Sequence, residues 1–203
     1  MSRNSELLIY VAHVVFWMAF GITRLVLSWI YRGGAVPTDQ PSAKEERTAP
    51  YSRALLLLHM LAFGVMYFGI GLAVLPGPGH VPSLFAGQRA VGGLVIAIGA
   101  LLACSALAYF RSWRFRAKLE QGHQLATGGP FRLMRHPIYT GMNLLAFGTA
   151  LFIPTPIVWI AALLMIVGSD LRARTEEPLL VEAFGDSYRN YQARTRRFLP
   201  GIY

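Results

Sequence analysis

Two clusters of residues concentrate charge and chain bends where long apolar runs stop. The first is His123-Gln124-Leu125-Ala126-Thr127-Gly128-Gly129-Pro130-Phe131, followed closely by Arg135-His136-Pro137-Ile138-Tyr139. Pro137 suits the first turn of a helix, where its missing N–H would have no partner in any case. His136 then falls near the N-cap, with Arg135 just outside it. The free N–H groups and the helix dipole favour an anion there, and Arg135 adds a full positive charge. Tyr139 lies three residues beyond His136, on the same face. Upstream, Gly128-Gly129-Pro130 lets backbone approach a ligand closely. The chemistry this cluster suits is anion binding beside aromatic rings.

The second cluster, Arg172-Ala173-Arg174-Thr175-Glu176-Glu177-Pro178-Leu179, supplies the opposite sign. Glu176 and Glu177 suit a ligand cation, while Arg172 and Arg174 suit an anion or pair with the glutamates. The bland alternatives are a topology-anchoring basic loop for the first cluster and an Arg172–Glu176 surface pair for the second, worth about 0.2–0.5 kcal/mol. Together the clusters present both signs at one face, which fits a zwitterion such as S-adenosylmethionine, with its carboxylate, ammonium and sulfonium.

Long apolar runs must position these clusters. Of 203 residues, 54% are hydrophobic and 14% charged, against roughly a quarter charged in soluble domains. That balance predicts an integral membrane protein of a single domain. Helices are expected over Leu7–Ile30, Ala54–Leu75 and Ala90–Phe110. Two shorter runs, Ile138–Ile153 and Ile157–Val167, are separated by Pro154-Thr155-Pro156, so the chain must turn there into a helical hairpin. The hairpin is expected nearly to span, with Ser169 and Leu171 extending its second arm. The fold class is therefore all-α, with five transmembrane helices.

Charge placement orients them. The segments 31–53, 111–135 and 172 onward hold 4, 6 and 6 Lys or Arg residues, while Arg3 and Arg89 alone fall on the opposite side. The positive-inside rule puts the N-terminus out and the C-terminus in the cytoplasm. Residues 33–50 read as a solvated cytoplasmic loop and 77–88 as a short outer loop. No cleavable signal peptide is visible. Arginine greatly outnumbers lysine, pointing to a bacterial inner membrane. Cys104, the only cysteine, is a packing residue, and neither a metal nor nucleic acid is expected. His13 and His59, alone in apolar helices, read as packing or interhelical hydrogen-bonding residues.

The ordered motifs His123-x-Leu125-x-x-x-Gly129-Pro130-Phe131, Arg135-His136-Pro137-x-Tyr139-x-Gly141, Glu176-Glu177-x-x-Leu180, Phe184-Gly185-x-x-Tyr188-x-x-Tyr191 and Arg197-Phe198-Leu199-Pro200-Gly201 resemble the isoprenylcysteine carboxyl methyltransferase family and its bacterial relatives. The resemblance covers roughly residues 90–203, making 89–203 the expected catalytic core behind apolar helices in 1–88. It implies that His123, Gln124, Leu125, Ala126, Phe131, Arg135, His136, Pro137, Ile138, Tyr139, Glu176 and Glu177 bind S-adenosylmethionine and its product S-adenosylhomocysteine. It also implies that Arg172 faces the substrate, so that Arg172 and Glu176 are the catalytic pair. Phe131 replaces the family's usual tyrosine, losing a hydrogen bond and keeping the ring. The implied activity is methyl transfer to a lipophilic acceptor from the bilayer, first a carboxylate of isoprenylcysteine type. Competing readings are a phospholipid amine N-methyltransferase, a membrane reductase using NADPH, and a non-catalytic membrane adaptor.

Overall fold

In a bilayer every backbone polar group must be satisfied within the chain, which favours helices for apolar runs of this length. The computed structural model describes residues 3–30, 43–75, 85–110 and 125–202. Six α-helices follow in order: α1 (Arg3–Ile30), α2 (Ala43–Val74), α3 (Gln88–Phe110), α4 (Pro137–Phe152), α5 (Pro156–Phe184) and α6 (Asp186–Arg194), with a 3-10 turn over Gly129–Arg132 before α4. Among the described residues there is no strand, only an isolated parallel bridge between Met134 and Arg196.

Among the described residues, four stretches are long and apolar enough to cross a membrane: Leu7–Leu27, Pro50–Val74, Gln88–Phe110 and Pro156–Phe184. The fourth expected span, α4, has 16 residues, or about 24 Å against a hydrocarbon core of about 30 Å. It is short, and most of its residues are buried. The turn at Ile153-Pro154-Thr155 is as anticipated, with Thr155 capping α5 through its side chain and Pro156 at the first position. The hairpin's second arm runs much further than Val167. α5 continues for 29 residues, through Pro178 to Phe184. The charges from Asp170 onward read as an exit from the apolar run, yet they pair along and across the helix and so sustain it. α2 likewise begins at Ala43, upstream of the expected start and with Pro50 inside it. The Ala-Lys-Glu-Glu stretch favours helix strongly enough to tolerate one lost ladder bond. Part of the expected 33–50 loop is thus helical, and the rest, 31–42, lies outside the described residues.

α3 packs chiefly on α4, and α2 chiefly on α5. Glycines seven apart set the first contact. A Cβ on Gly99 would lie 2.6 Å from the Gly141 carbonyl oxygen, and one on Gly92 would lie 2.8 Å from that of Gly148. Small residues of this kind let helix backbones meet directly. His13 ties three helices together: its ring nitrogens lie 2.7 Å from Thr149 Oγ1 and 3.1 Å from the Tyr67 hydroxyl. His59 bonds the Leu55 carbonyl at 2.9 Å and Ser169 Oγ of α5 at 3.3 Å. Both histidines make the interhelical hydrogen bonds expected of them. Leu25, Leu57, Leu101 and Leu163 point outward, as suits a hydrocarbon surround.

Candidate active site

Because α4 and α5 form an antiparallel hairpin, the start of α4 and the last third of α5 lie at one end. His136 is the N-cap of α4 and Pro137 its first residue. A C-terminal strap, residues 195–199, is laid against this turn. The backbone N–H groups of Arg135 and His136 donate to the carbonyls of Arg196 and Arg197 at 2.8 and 3.1 Å. The Thr140 hydroxyl lies 3.3 Å from the Phe198 carbonyl.

Tyr139 links the two sequence clusters. Its hydroxyl donates to Glu176 Oε1 at 2.6 Å. Its ring stacks on His136, with centroids 5.6 Å apart and planes 9° apart. The Arg172 guanidinium carbon sits 5.3 Å from the Tyr139 ring centroid, within cation–π range. Arg172 also donates to Glu176 Oε1 at 3.3 Å. The expected i,i+4 pair is therefore present, but against Tyr139 rather than on a free surface. His136 Nδ1 lies 3.9 Å from Glu176 Oε2.

The adjacent carboxylate is situated differently. Glu177 Oε1 accepts from Arg135 Nε at 2.8 Å and from Arg197 Nε at 3.2 Å, and it lies 3.3 Å from His136 Nε2. Its Oε2 accepts from Arg197 Nη2 at 2.8 Å and from Gln192 Nε2 at 3.4 Å. Arg135 further donates to the Gln192 and Thr195 carbonyls, and Arg197 to Asp170 at 3.3 Å. Glu177 is 8% exposed against 22% for Glu176, so Glu176 is the more accessible of the two. An enclosed carboxylate is retained charged only with such partners.

The other expected residues divide. Phe131 is buried against α3, its ring 5.5 Å from Phe110 and 6.2 Å from Tyr109. Ile138 belongs to the main core, as the partly buried Ala126 does from its edge. Leu125 is half-buried, Pro137 fully so. His123 and Gln124 lie outside the described residues. Residues not singled out as site members also enter: Gln192, Arg197, Phe198 and Asp170. Only the tail motif beginning at Arg197 marked any of them, because nothing local ties residue 197 to residue 136.

α6 bolts the strap down. The Tyr191 hydroxyl donates to the Phe131 carbonyl at 2.6 Å, and burial pushes its phenol up to about 12. Burial, reinforced by the Glu177 charge, raises Tyr188 further. Its buried hydroxyl has no hydrogen-bond partner among the described residues. A groove of about 490 Å³, lined by Arg174, Glu177, Pro178, Val181, Gln192 and Arg197, opens beside this clamp. Of the expected ligand-binding residues it touches only Glu177.

About half of the chain is similar to known proteins. Residues 88–187 match the family model described as phospholipid methyltransferase. A probable protein-S-isoprenylcysteine O-methyltransferase of Oryza sativa subsp. indica is 35% identical over 88 residues, 43% of this chain and 46% of that protein. The protein-S-isoprenylcysteine O-methyltransferase of Schizosaccharomyces pombe is 32% identical over 87 residues, 42% of this chain and 37% of that protein. Protein-S-isoprenylcysteine O-methyltransferase B of Arabidopsis thaliana is 31% identical over 88 residues, 43% of this chain and 45% of that protein. The chain spans less than half the length of these curated relatives. They are eukaryotic and lend no support to the expected bacterial inner membrane. The stretch that is similar to the phospholipid methyltransferase family model holds α3, α4, α5 and both glutamates.

Proposed function

We propose that the protein transfers a methyl group from S-adenosylmethionine to a lipophilic acceptor reaching the site from the bilayer, first of all a carboxylate of isoprenylcysteine type. One observation carries the reading. Glu176 keeps Oε2 toward His136 at 3.9 Å while Tyr139 and Arg172 occupy Oε1, leaving a carboxylate oxygen available beside a helix N-terminus.

The residues fit the zwitterionic donor. Glu176 Oε2 would hold the ammonium. The N–H groups of Ile138 and Tyr139, without intrahelical acceptors in the first turn of α4, would hold the carboxylate. Leu125, Ala126 and the undescribed His123 and Gln124 would border the same ligand, while Arg135 and Glu177 would act on it through His136. When bound, S-adenosylmethionine supplies a methyl group on a sulfonium, so the protein's task is to orient and to exclude water. Arg172 would orient the acceptor carboxylate. Such an acceptor is already a nucleophile and requires no general base.

The charge distribution supports a cytoplasmic site. The three segments rich in Lys and Arg all fall on the side of residues 111–135 and of the C-terminal residues. An α4 too short to span alters nothing here, because a hairpin starts and ends at one face whether or not its tip crosses.

The test is incubation of the full chain in nanodiscs with methyl-labelled S-adenosylmethionine and two acceptors, S-farnesylcysteine and phosphatidylethanolamine. Base-labile label on S-farnesylcysteine is the expected result. Label on phosphatidylethanolamine alone would replace the carboxylate with an amine, and binding of NADPH in place of S-adenosylhomocysteine would overturn methyl transfer altogether.

A further inference from the structure

Glu177 lies against one nitrogen of the His136 ring, and Glu176 faces the other. A carboxylate only accepts, so the 3.3 Å approach of Glu177 Oε1 to Nε2 puts the ring proton on Nε2. In the neutral ring, Nδ1 is then a bare lone pair facing Glu176 Oε2 at 3.9 Å. Two acceptors so placed form a receptor for a donor cation. Were the proton on Nδ1 instead, the ring would donate to Glu176 and close that receptor.

Glu177 is itself held by residues distant in sequence. Arg135 and Arg197 grip it from two sides. Arg197 also reaches Asp170, about two turns back along α5 from Glu177. The Arg197 carbonyl accepts the main-chain N–H of His136, and the Phe198 ring lies 5.9 Å from the imidazole. One short strap therefore fixes both the backbone of His136 and the carboxylate that selects its tautomer. This strap lies beyond residue 187, where the family match ends.

We propose that Glu177, clamped by Arg135 and Arg197, is a positioning residue that holds His136 as its Nε2–H tautomer and so keeps Nδ1 available, with Glu176, for a ligand ammonium. The C-terminal strap is thereby part of the site. This deepens the methyl-transfer reading and rests on it only for the choice of ligand.

The tautomer can be read without any ligand. The full chain, labelled with [15N]histidine in nanodiscs, gives long-range proton–nitrogen spectra, and the His136 signals among the five histidines are assigned by their loss in His136→Gln. The wild type shows the Nε2–H pattern. Glu177→Gln, whose amide can donate to Nε2, shifts the ring toward Nδ1–H and weakens S-adenosylhomocysteine binding by about tenfold or more, the scale of one charge-assisted hydrogen bond. Arg197→Gln, which leaves Glu177 its bond from Arg135, moves both readings the same way, and Arg197→Lys largely restores them. If Glu177→Gln fails to fold, the Arg197 pair decides. A wild-type ring protonated at Nδ1, or variants that leave the tautomer unchanged, would overturn the proposal. The expected tautomer without affinity for S-adenosylhomocysteine would uphold it and sink the methyl-donor reading.

Discussion

The Tyr139 hydroxyl donates to Glu176 Oε1 at 2.6 Å across 37 positions of sequence, and this bond joins the two charged clusters into one site. Tyr139 is buried between His136 and Arg172, so it fixes which Glu176 oxygen is engaged and which is left.

Glu176→Gln removes the carboxylate and keeps the shape. S-Adenosylhomocysteine affinity, measured by titration calorimetry in detergent, should fall at least tenfold, roughly the value of one charged hydrogen bond. Tyr139→Phe should cost several-fold less, because the ring contacts survive. Unchanged binding in Glu176→Gln would remove the basis for the proposed donor site.

Glu177→Ala should behave as a stability variant. It strips Arg135 and Arg197 of their carboxylate in a largely enclosed setting, and breaking such a pair costs about 3–5 kcal/mol. Thermal unfolding in one detergent should show a much larger loss for Glu177→Ala than for Glu176→Gln. Equal losses would mean that the two glutamates are not divided as their partners indicate.

Gly99→Ala tests the α3–α4 seam. The added methyl would meet the backbone of Gly141 at 2.6 Å, which cannot swing aside as a side chain would. A destabilisation of about 1–3 kcal/mol is expected. Gly71→Ala is the control, since a Cβ there meets nothing within 4 Å and alanine favours helix. Its unfolding midpoint should hold or rise.

Alkaline pH should loosen α6 and the strap. Burial pushes the Tyr191 phenol to about 12, above an ordinary value of about 10. Below pH 10 the phenol is neutral whether folded or unfolded, and folding carries no penalty from it. As pH rises through that range toward 12, only the unfolded chain loses the proton readily, so stability falls. Hydrogen exchange of residues 186–199 should accelerate there, and Tyr191→Phe should show a smaller step, with the buried Tyr188 still contributing, while starting from lower stability, having lost its bond to the Phe131 carbonyl.

The helices were legible because their causes are local. Apolar runs near twenty residues, a proline at position 137 and a Pro-Thr-Pro break at 154–156 each act within a few positions. His136 could be placed at the N-cap of α4 on the same grounds. The extent of α5 could not be read this way. Its charged end resembled an exit from the apolar run, and what sustains it includes pairing with Arg135 and Arg197, 42 and 20 positions away.

The amino-acid sequence by itself determined that two clusters of opposite charge would meet at one end of the α4–α5 hairpin, since hydropathy and proline dictate where helices begin and turn. It did not decide which of two consecutive glutamates stays available. On a helix, neighbours point about 100° apart, so Glu176 turns toward Tyr139 and Arg172 while Glu177 turns into the strap. Only the packing of α4, α6 and the last residues against α5 assigned those directions, because a carboxylate's role depends on which distant donors reach its oxygens.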